Sequence, residues 1–148
     1  MKPIVLPLLA TLLLPWTAQA DQAPLKYYGI APNAPFSAAV RAGDTLYVSG
    51  QIGAAPQGGL PKDFTAQADN ALDNVAGALA LAGASMDDVA KCTVMLTDMS
   101  QWQAFNARYV RRFKPGHLPA RSAIGASALA MGAQIEIECI AYLPRARP

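Results

Sequence analysis

Thr45-Leu46-Tyr47-Val48-Ser49-Gly50-Gln51 decides the class of fold. Leu46 and Val48 fall on one side of an extended chain, and Tyr47 and Ser49 on the other. That period of two marks a half-buried strand. Upstream, Ala42-Gly43-Asp44 reads as a tight turn, with another strand running into it from Ala38. Downstream, the stretch from Gly53 to Lys62 is rich in Gly, Ala and Pro and reads as a loop. Asp63 is then placed to cap a helix reaching about Ala82, with Gly83 as its stop. Leu72, Val75, Leu79 and Ala82 recur at three and four residues, while Asp69, Asp73 and Asn74 lie off that stripe. One face of this helix is built to be buried.

The same reading carries on to the C-terminus. Lys91 to Thr97 is a β-type run, and Ser100-Gln101-Trp102-Gln103 has the form of a capping box opening a second helix. Trp102, Phe105, Tyr109 and Phe113 are its apolar stripe, and Pro115-Gly116 ends it. Arg108, Arg111, Arg112 and Lys114 crowd its last turns, where cations suit the helix dipole; we read them as a solvated face, not a nucleic-acid patch. Two more strands are expected at Arg121 to Ser127 and Gln134 to Tyr142. Strands alternating with two helices give a single α/β domain, a mixed sheet with both helices on one face. The other face would carry Glu136 and Glu138 beside Met95 and Tyr47, a half-apolar surface that asks for a partner, most simply a second copy.

Composition bounds the rest. The chain has 148 residues, 53% hydrophobic and 15% charged, with a formal net charge of +2. This excludes disorder and allows one domain with a real core. It also gives no electrostatic reason to expect nucleic-acid binding. Residues 1–20 read as a cleavable signal peptide: Lys2 is followed by an apolar run from Ile4 to Leu14, too short to span a bilayer, and Ala18-Gln19-Ala20 is a small-x-small cleavage site. The expected mature chain is 21–148, periplasmic or secreted, with no other membrane-length segment. Its two cysteines, Cys92 and Cys139, fall among core-facing strand positions and are expected as free, buried thiols.

The chemistry must come from few residues. The single histidine, His117, allows neither a metal cluster nor a convincing triad, and reads as a solvated loop residue. Gly53 to Gly59 lacks the spacing and the lysine of a phosphate loop. No metal or other cofactor is implied. What remains is Pro119-Ala120-Arg121-Ser122 and Gln134-Ile135-Glu136-Ile137-Glu138. Alternation puts Glu136 and Glu138 on one sheet face about 7 Å apart, with Ile135 and Ile137 on the core face. Arg121 offers a planar fork suited to a carboxylate, and a glutamate can hold a water. From spacing alone, a plain Arg121–glutamate surface pair is the better reading.

Thr45 to Ile52, the Gln67 to Asn74 stretch (QADNALDN), Pro119 to Ser122 and Ile135 to Glu138 together, in this order, resemble the RidA (YjgF) family, over roughly Asn33 to Leu143. The resemblance implies a chorismate-mutase-like fold and a homotrimer with clefts between subunits. It further implies hydrolysis of small-molecule 2-imino acids, such as 2-iminopropanoate and 2-iminobutanoate, to 2-keto acids and ammonia. Matched residue by residue, Arg121 corresponds to the arginine that binds the substrate carboxylate and Glu136 to the glutamate that positions or activates water. Gly50 corresponds to a main-chain contact in the cleft, and Asn106 to a cleft-lining position. The family's cysteine two residues after the arginine is Ala123 here, and its tyrosine near the N-terminal strand is Phe36. A non-catalytic module that binds small carboxylates in the same clefts is the alternative that these two departures favour.

Overall fold

A computed structural model describes residues 24–144, so the segment read as a signal peptide lies outside the described residues. Six strands form one mixed sheet. In chain order they are β1 (Lys26–Ile30), β2 (Ser37–Ala42), β3 (Thr45–Ile52), β4 (Val89–Leu96), β5 (Ala120–Gly125) and β6 (Ile135–Tyr142). Their spatial order is β1-β2-β3-β6-β4-β5, antiparallel throughout except for the parallel β4–β5 pair. Parallel neighbours need a crossover, and the chain from 97 to 119 supplies it by carrying the second helix. Helix α1 is Phe64–Leu81 and α2 is Trp102–Tyr109.

The core lies between one sheet face and the helices. Leu46, Val48, Val94, Leu96, Ile135 and Ile137 project from the sheet, and Leu72, Val75, Leu79 and Phe105 meet them, all buried. Burying such side chains fully contributes roughly 1.5–3 kcal/mol each. The expected stripe on α1 is therefore the packing face. Its cap is also as expected: the Asp63 carboxylate accepts from the Ala66 N–H at 2.9 Å, and Gly83 takes a left-handed φ of 75° at the C-terminal end.

Off the stripe, α1 does something the spacing did not reveal. Asn74 Nδ2 donates to the carbonyls of Ile52 and Ala54 (2.9 and 3.1 Å), and Asn70 Nδ2 to that of Gly53 (3.2 Å). Gln67 is 2% exposed; its Nε2 donates to Pro61 O and its Oε1 accepts from the Gln134 N–H. The polar residues of the QADNALDN stretch thus tie the loop after β3 and the start of β6 to the helix. Gly53 permits this approach, since a Cβ there would lie 2.5 Å from Cα of Gln67.

Several expectations are corrected. Asp98, not Ser100, caps the turn before α2: its side chain accepts from the Ser100 N–H at 2.8 Å, so the Ser100–Gln103 capping box does not form. The α-helix ends at Tyr109 and tightens into a 3-10 turn over Val110–Arg112. Three of the four clustered cations are tied down. Arg108 pairs with Asp69 at 2.9 Å, Arg112 with Asp69 and Asp73, and Lys114 with Asp87 at 2.7 Å. They bridge to other elements instead of standing free in solvent, though exposed pairs of this kind are worth only about 0–1 kcal/mol each. The strand expected from Arg121 to Ser127 is the shorter β5, and β1 was not anticipated at all.

The thiol expectation is also overturned. Cys92 and Cys139 are directly opposed on antiparallel β4 and β6, with Cα atoms 4.1 Å apart, and they form a disulfide. Both side chains point into the core and are at most 2% exposed. The reason is register: directly opposed, closely spaced antiparallel positions bring their side chains together, and strand pairing is not written into either strand alone.

Candidate active site

Alternation along β6 buries Ile135 and Ile137 and turns Glu136 and Glu138 to the open sheet face. There Glu136 stands opposite Met95 of β4 and Ile52 of β3. The β3–β6 ladder slips between Val48 and Gln51: Val48 pairs with Cys139, and the next pair is Gln51 with Ile137. This bulge gives β3 one extra residue and reverses which side chains face the core beyond it. Ile52 thereby reaches the open face beside Glu136. Gly50 lies in the bulge, and a Cβ on it would overlap the Glu136 carboxyl group, 2.9 Å from Cδ and closer still to Oε1. The carboxylate occupies the space that any other residue would need.

Around Glu136 is a cavity of about 340 Å³ lined by Phe36, Ser49, Gly50, Ile52, Ala130 and Met131. The Ser49 hydroxyl is committed to the Ser37 carbonyl at 2.7 Å, which leaves Glu136 as the one polar side chain of the wall without such a bond. Met131 has φ 58°, the only non-glycine with positive φ among the described residues. For an L-residue that backbone costs roughly 1–2 kcal/mol.

Arg121 is elsewhere. It pairs in parallel register with core-facing Cys92, so its side chain leaves the sheet on the helix side. Its Cζ lies 4.4 Å from the centroid of Trp102, 4.5 Å from that of Tyr109 and 5.8 Å from that of Phe105. Residues 102, 105 and 109 share one face of α2, and the guanidinium rests on that face as a cation on aromatic rings. Nη1 of Arg121, Oδ1 of Asn106 and the Tyr109 hydroxyl are all enclosed without a hydrogen-bond partner among the described residues. Burial pushes the Tyr109 hydroxyl up to about 12, with the Arg121 charge pulling the other way. It therefore remains a neutral O–H across the physiological range.

Arg121 and Glu136 consequently occupy opposite faces of one sheet, and within one chain they cannot hold the same small ligand. The surface pair between Arg121 and a glutamate does not form; aromatic rings take its place. Of the matched residues, Glu136, Gly50 and Phe36 gather at the cavity on the open face. Arg121 and Asn106 gather at the α2 side, with Ala123 two residues along β5 on the Arg121 side. His117 is an exposed loop residue, as read. Reasoning from spacing placed Trp102 and Tyr109 in the core stripe and missed that they carry Arg121. It gave no role to Ile52 or Met131. Nothing short of the bulge and the left-handed turn brings those two to Glu136.

A guanidinium resting on rings is held in one orientation, as gripping a carboxylate requires, and a carboxylate in an otherwise apolar cavity can hold and polarise a water. The remaining sheet surface is half apolar: Tyr47, Ile124 and Tyr142 are each at least 50% exposed.

Comparison with known proteins bears on the family and the fold. The sequence profile of the family described as Endoribonuclease L-PSP matches residues 28–143. The 2-iminobutanoate/2-iminopropanoate deaminase of Mus musculus is 40% identical over 109 residues, covering 72% of this chain and 80% of that one. The Homo sapiens protein of the same name is 39% identical over 115 residues, covering 75% and 83%. Among solved structures, RidA from the Antarctic bacterium Psychrobacter sp. superposes with a TM-score of 0.71 at 37% identity, covering 84% of this chain and 97% of that one. Yeast Mmf1 gives 0.74 at 31%, covering 82% and 100%. Profile, relatives and fold coincide over nearly the whole described domain, and the chain belongs to the Endoribonuclease L-PSP (RidA/YjgF) family.

Proposed function

We propose that this protein is a hydrolytic deaminase of 2-imino acids, acting in clefts formed where copies of the chain meet. The observation that carries the reading is the pair of half-sites: a ring-backed Arg121 on one face and a lone Glu136 in an apolar cavity on the other. Two copies, most simply within a trimer, could set the fork of one against the cavity of the next. The relatives named as 2-iminobutanoate/2-iminopropanoate deaminases support the chemistry.

In this mechanism Arg121 grips the substrate carboxylate and fixes the imine carbon near Glu136. Glu136 accepts a proton from water as the water oxygen attacks that carbon. Glu136 passes that proton to the nitrogen to give the carbinolamine; the carbinolamine hydroxyl proton then moves through the same carboxylate to the nitrogen as the C–N bond breaks, and ammonia leaves a 2-keto acid behind. Imines hydrolyse in water unaided, so positioning and one general base suffice. Loss of a thiol at Ala123 and a hydroxyl at Phe36 leaves both working groups in place.

We also place the mature chain outside the cytoplasm. The N-terminal sequence supports this, and so does the buried Cys92–Cys139 disulfide, because such bonds persist in oxidising compartments.

The test couples an amino-acid oxidase to the protein, with semicarbazide as imine trap. The semicarbazone signal should fall in proportion to added protein, and Glu136→Gln should slow that loss by ~10²-fold. An unchanged signal alongside calorimetric binding of 2-oxobutanoate would instead make the protein a carboxylate-binding module.

A further inference from the structure

The Glu136 cavity is larger and greasier than water delivery requires. Three bulky apolar side chains reach it from separate segments: Phe36 from the chain before β2, Ile52 from beyond the bulge, and Met131 from the turn before β6. Phe36 is 58% and Met131 75% exposed, so their apolar surface stands ready to be covered. Met131 is held there in a left-handed backbone, and strain of this kind persists where the surroundings or the function demand it. A volume of about 340 Å³ falls in the range of sites for ligands well beyond a four-carbon acid. An alanine-derived imine has only a methyl group to set against this wall.

A substrate with an electrophilic carbon beside a large apolar substituent uses the Glu136 carboxylate and covers Phe36 and Met131 at once.

Resting on the deaminase reading, we propose that Phe36, Ile52 and Met131 form a side-chain pocket that selects 2-imino acids with large apolar substituents, such as those formed from leucine or phenylalanine. The carboxylate would go to Arg121 of a neighbouring copy and the side chain would lie along Phe36 and Met131. The hydrolysis is unchanged, with one water consumed and one ammonia released.

The experiment measures kcat/KM of the full chain, by the semicarbazide assay, for imines generated from alanine, leucine and phenylalanine. The two bulky imines should be cleared about tenfold or more efficiently than the small one, the discrimination an apolar pocket can supply. Met131→Gly keeps the left-handed backbone and removes the wall. It should bring the ratio close to even, chiefly by raising KM for the bulky imines, with the light-scattering mass unaltered. A parent that prefers the alanine imine overturns the proposal. So does a Met131→Gly variant that keeps the ratio while losing oligomer mass, which would make Met131 an interface contact. Calorimetry with 4-methyl-2-oxopentanoate and pyruvate separates the two readings. Tighter binding of the larger acid without clearance of any imine leaves the pocket standing and removes the deaminase. Clearance with equal binding of both acids does the reverse, and binding of neither together with no clearance of any imine removes both.

Discussion

Breaking the Cys92–Cys139 bridge should be the most expensive small change that can be made to this molecule. The bond joins the neighbouring strands β4 and β6 across a sequence separation of 47 residues. Holding those ends together in the unfolded chain removes loop-closure entropy, which for a loop of this length is worth about 4 kcal/mol at 25 °C. Domain stabilities run to only about 5–15 kcal/mol, so the bridge supplies a large share. For a domain of this size the loss corresponds to a fall in Tm of roughly 10–20 °C. The assay is guanidinium unfolding followed by far-UV circular dichroism, comparing oxidised protein with the same protein held reduced. Cys92→Ala/Cys139→Ala serves as a second reference without thiols. A difference below about 1 kcal/mol, or two titratable thiols in denatured protein that has never met a reductant, would refute the reasoning.

The remaining expectations concern the site. Gly50→Ala would drive the Glu136 carboxylate from its place, so imine clearance should fall by ~10²-fold while the thermal midpoint moves by only a few degrees. Arg121→Ala should abolish measurable 2-oxobutanoate binding in calorimetry, and Arg121→Lys should restore little, because an ammonium cannot reproduce a planar fork on Trp102 and Tyr109. Tyr109→Phe removes an enclosed hydroxyl that has no partner among the described residues, so the melting point should hold or rise. The same residue sets an alkaline limit. Burial raises its folded-state pKa to about 12, above the ordinary tyrosine value near 10, so its contribution is complete below pH 10 and lost as pH climbs towards 12. Between pH 10 and 12 the parent should therefore lose stability that Tyr109→Phe keeps, so the two curves should separate in that window, and curves that stay parallel would contradict the assignment.

Much of this was legible in the sequence where the signal was local. Leu46 and Val48 alternate, Asp63 and Gly83 bracket α1, and Glu136 and Glu138 share the face that their spacing dictates. What escaped depends on pairing between distant segments. β1 is an edge strand with mostly exposed residues and no clean alternation, so nothing in Lys26–Ile30 marks it. Asp98 outcompetes Ser100 as a cap because its carboxylate reaches the Ser100 N–H. The disulfide requires the β4–β6 register, and the separation of Arg121 from Glu136 requires knowing that β5 lies parallel to β4. Residue matching set Arg121 and Glu136 together in one cleft, and could not say that within one chain they leave the sheet on opposite faces.

The bulge in β3 also has a bearing on length. On either side of it the strand keeps odd-even order, but the two orders are out of step: Val48 faces the core with Cys139, and Ile52 faces away with Glu136. One surplus residue performs the exchange, so this stretch counts in parity as well as in chemistry. Side chains within it can be traded singly, at a cost set by each contact. Removing one residue between Val48 and Gln51 would be a different kind of event. Either Leu46 and Val48 would turn out to solvent, or Ile52 would turn inward and leave Glu136 without its neighbour. The loop from Gly53 to Lys62 can in principle change length; these few positions cannot.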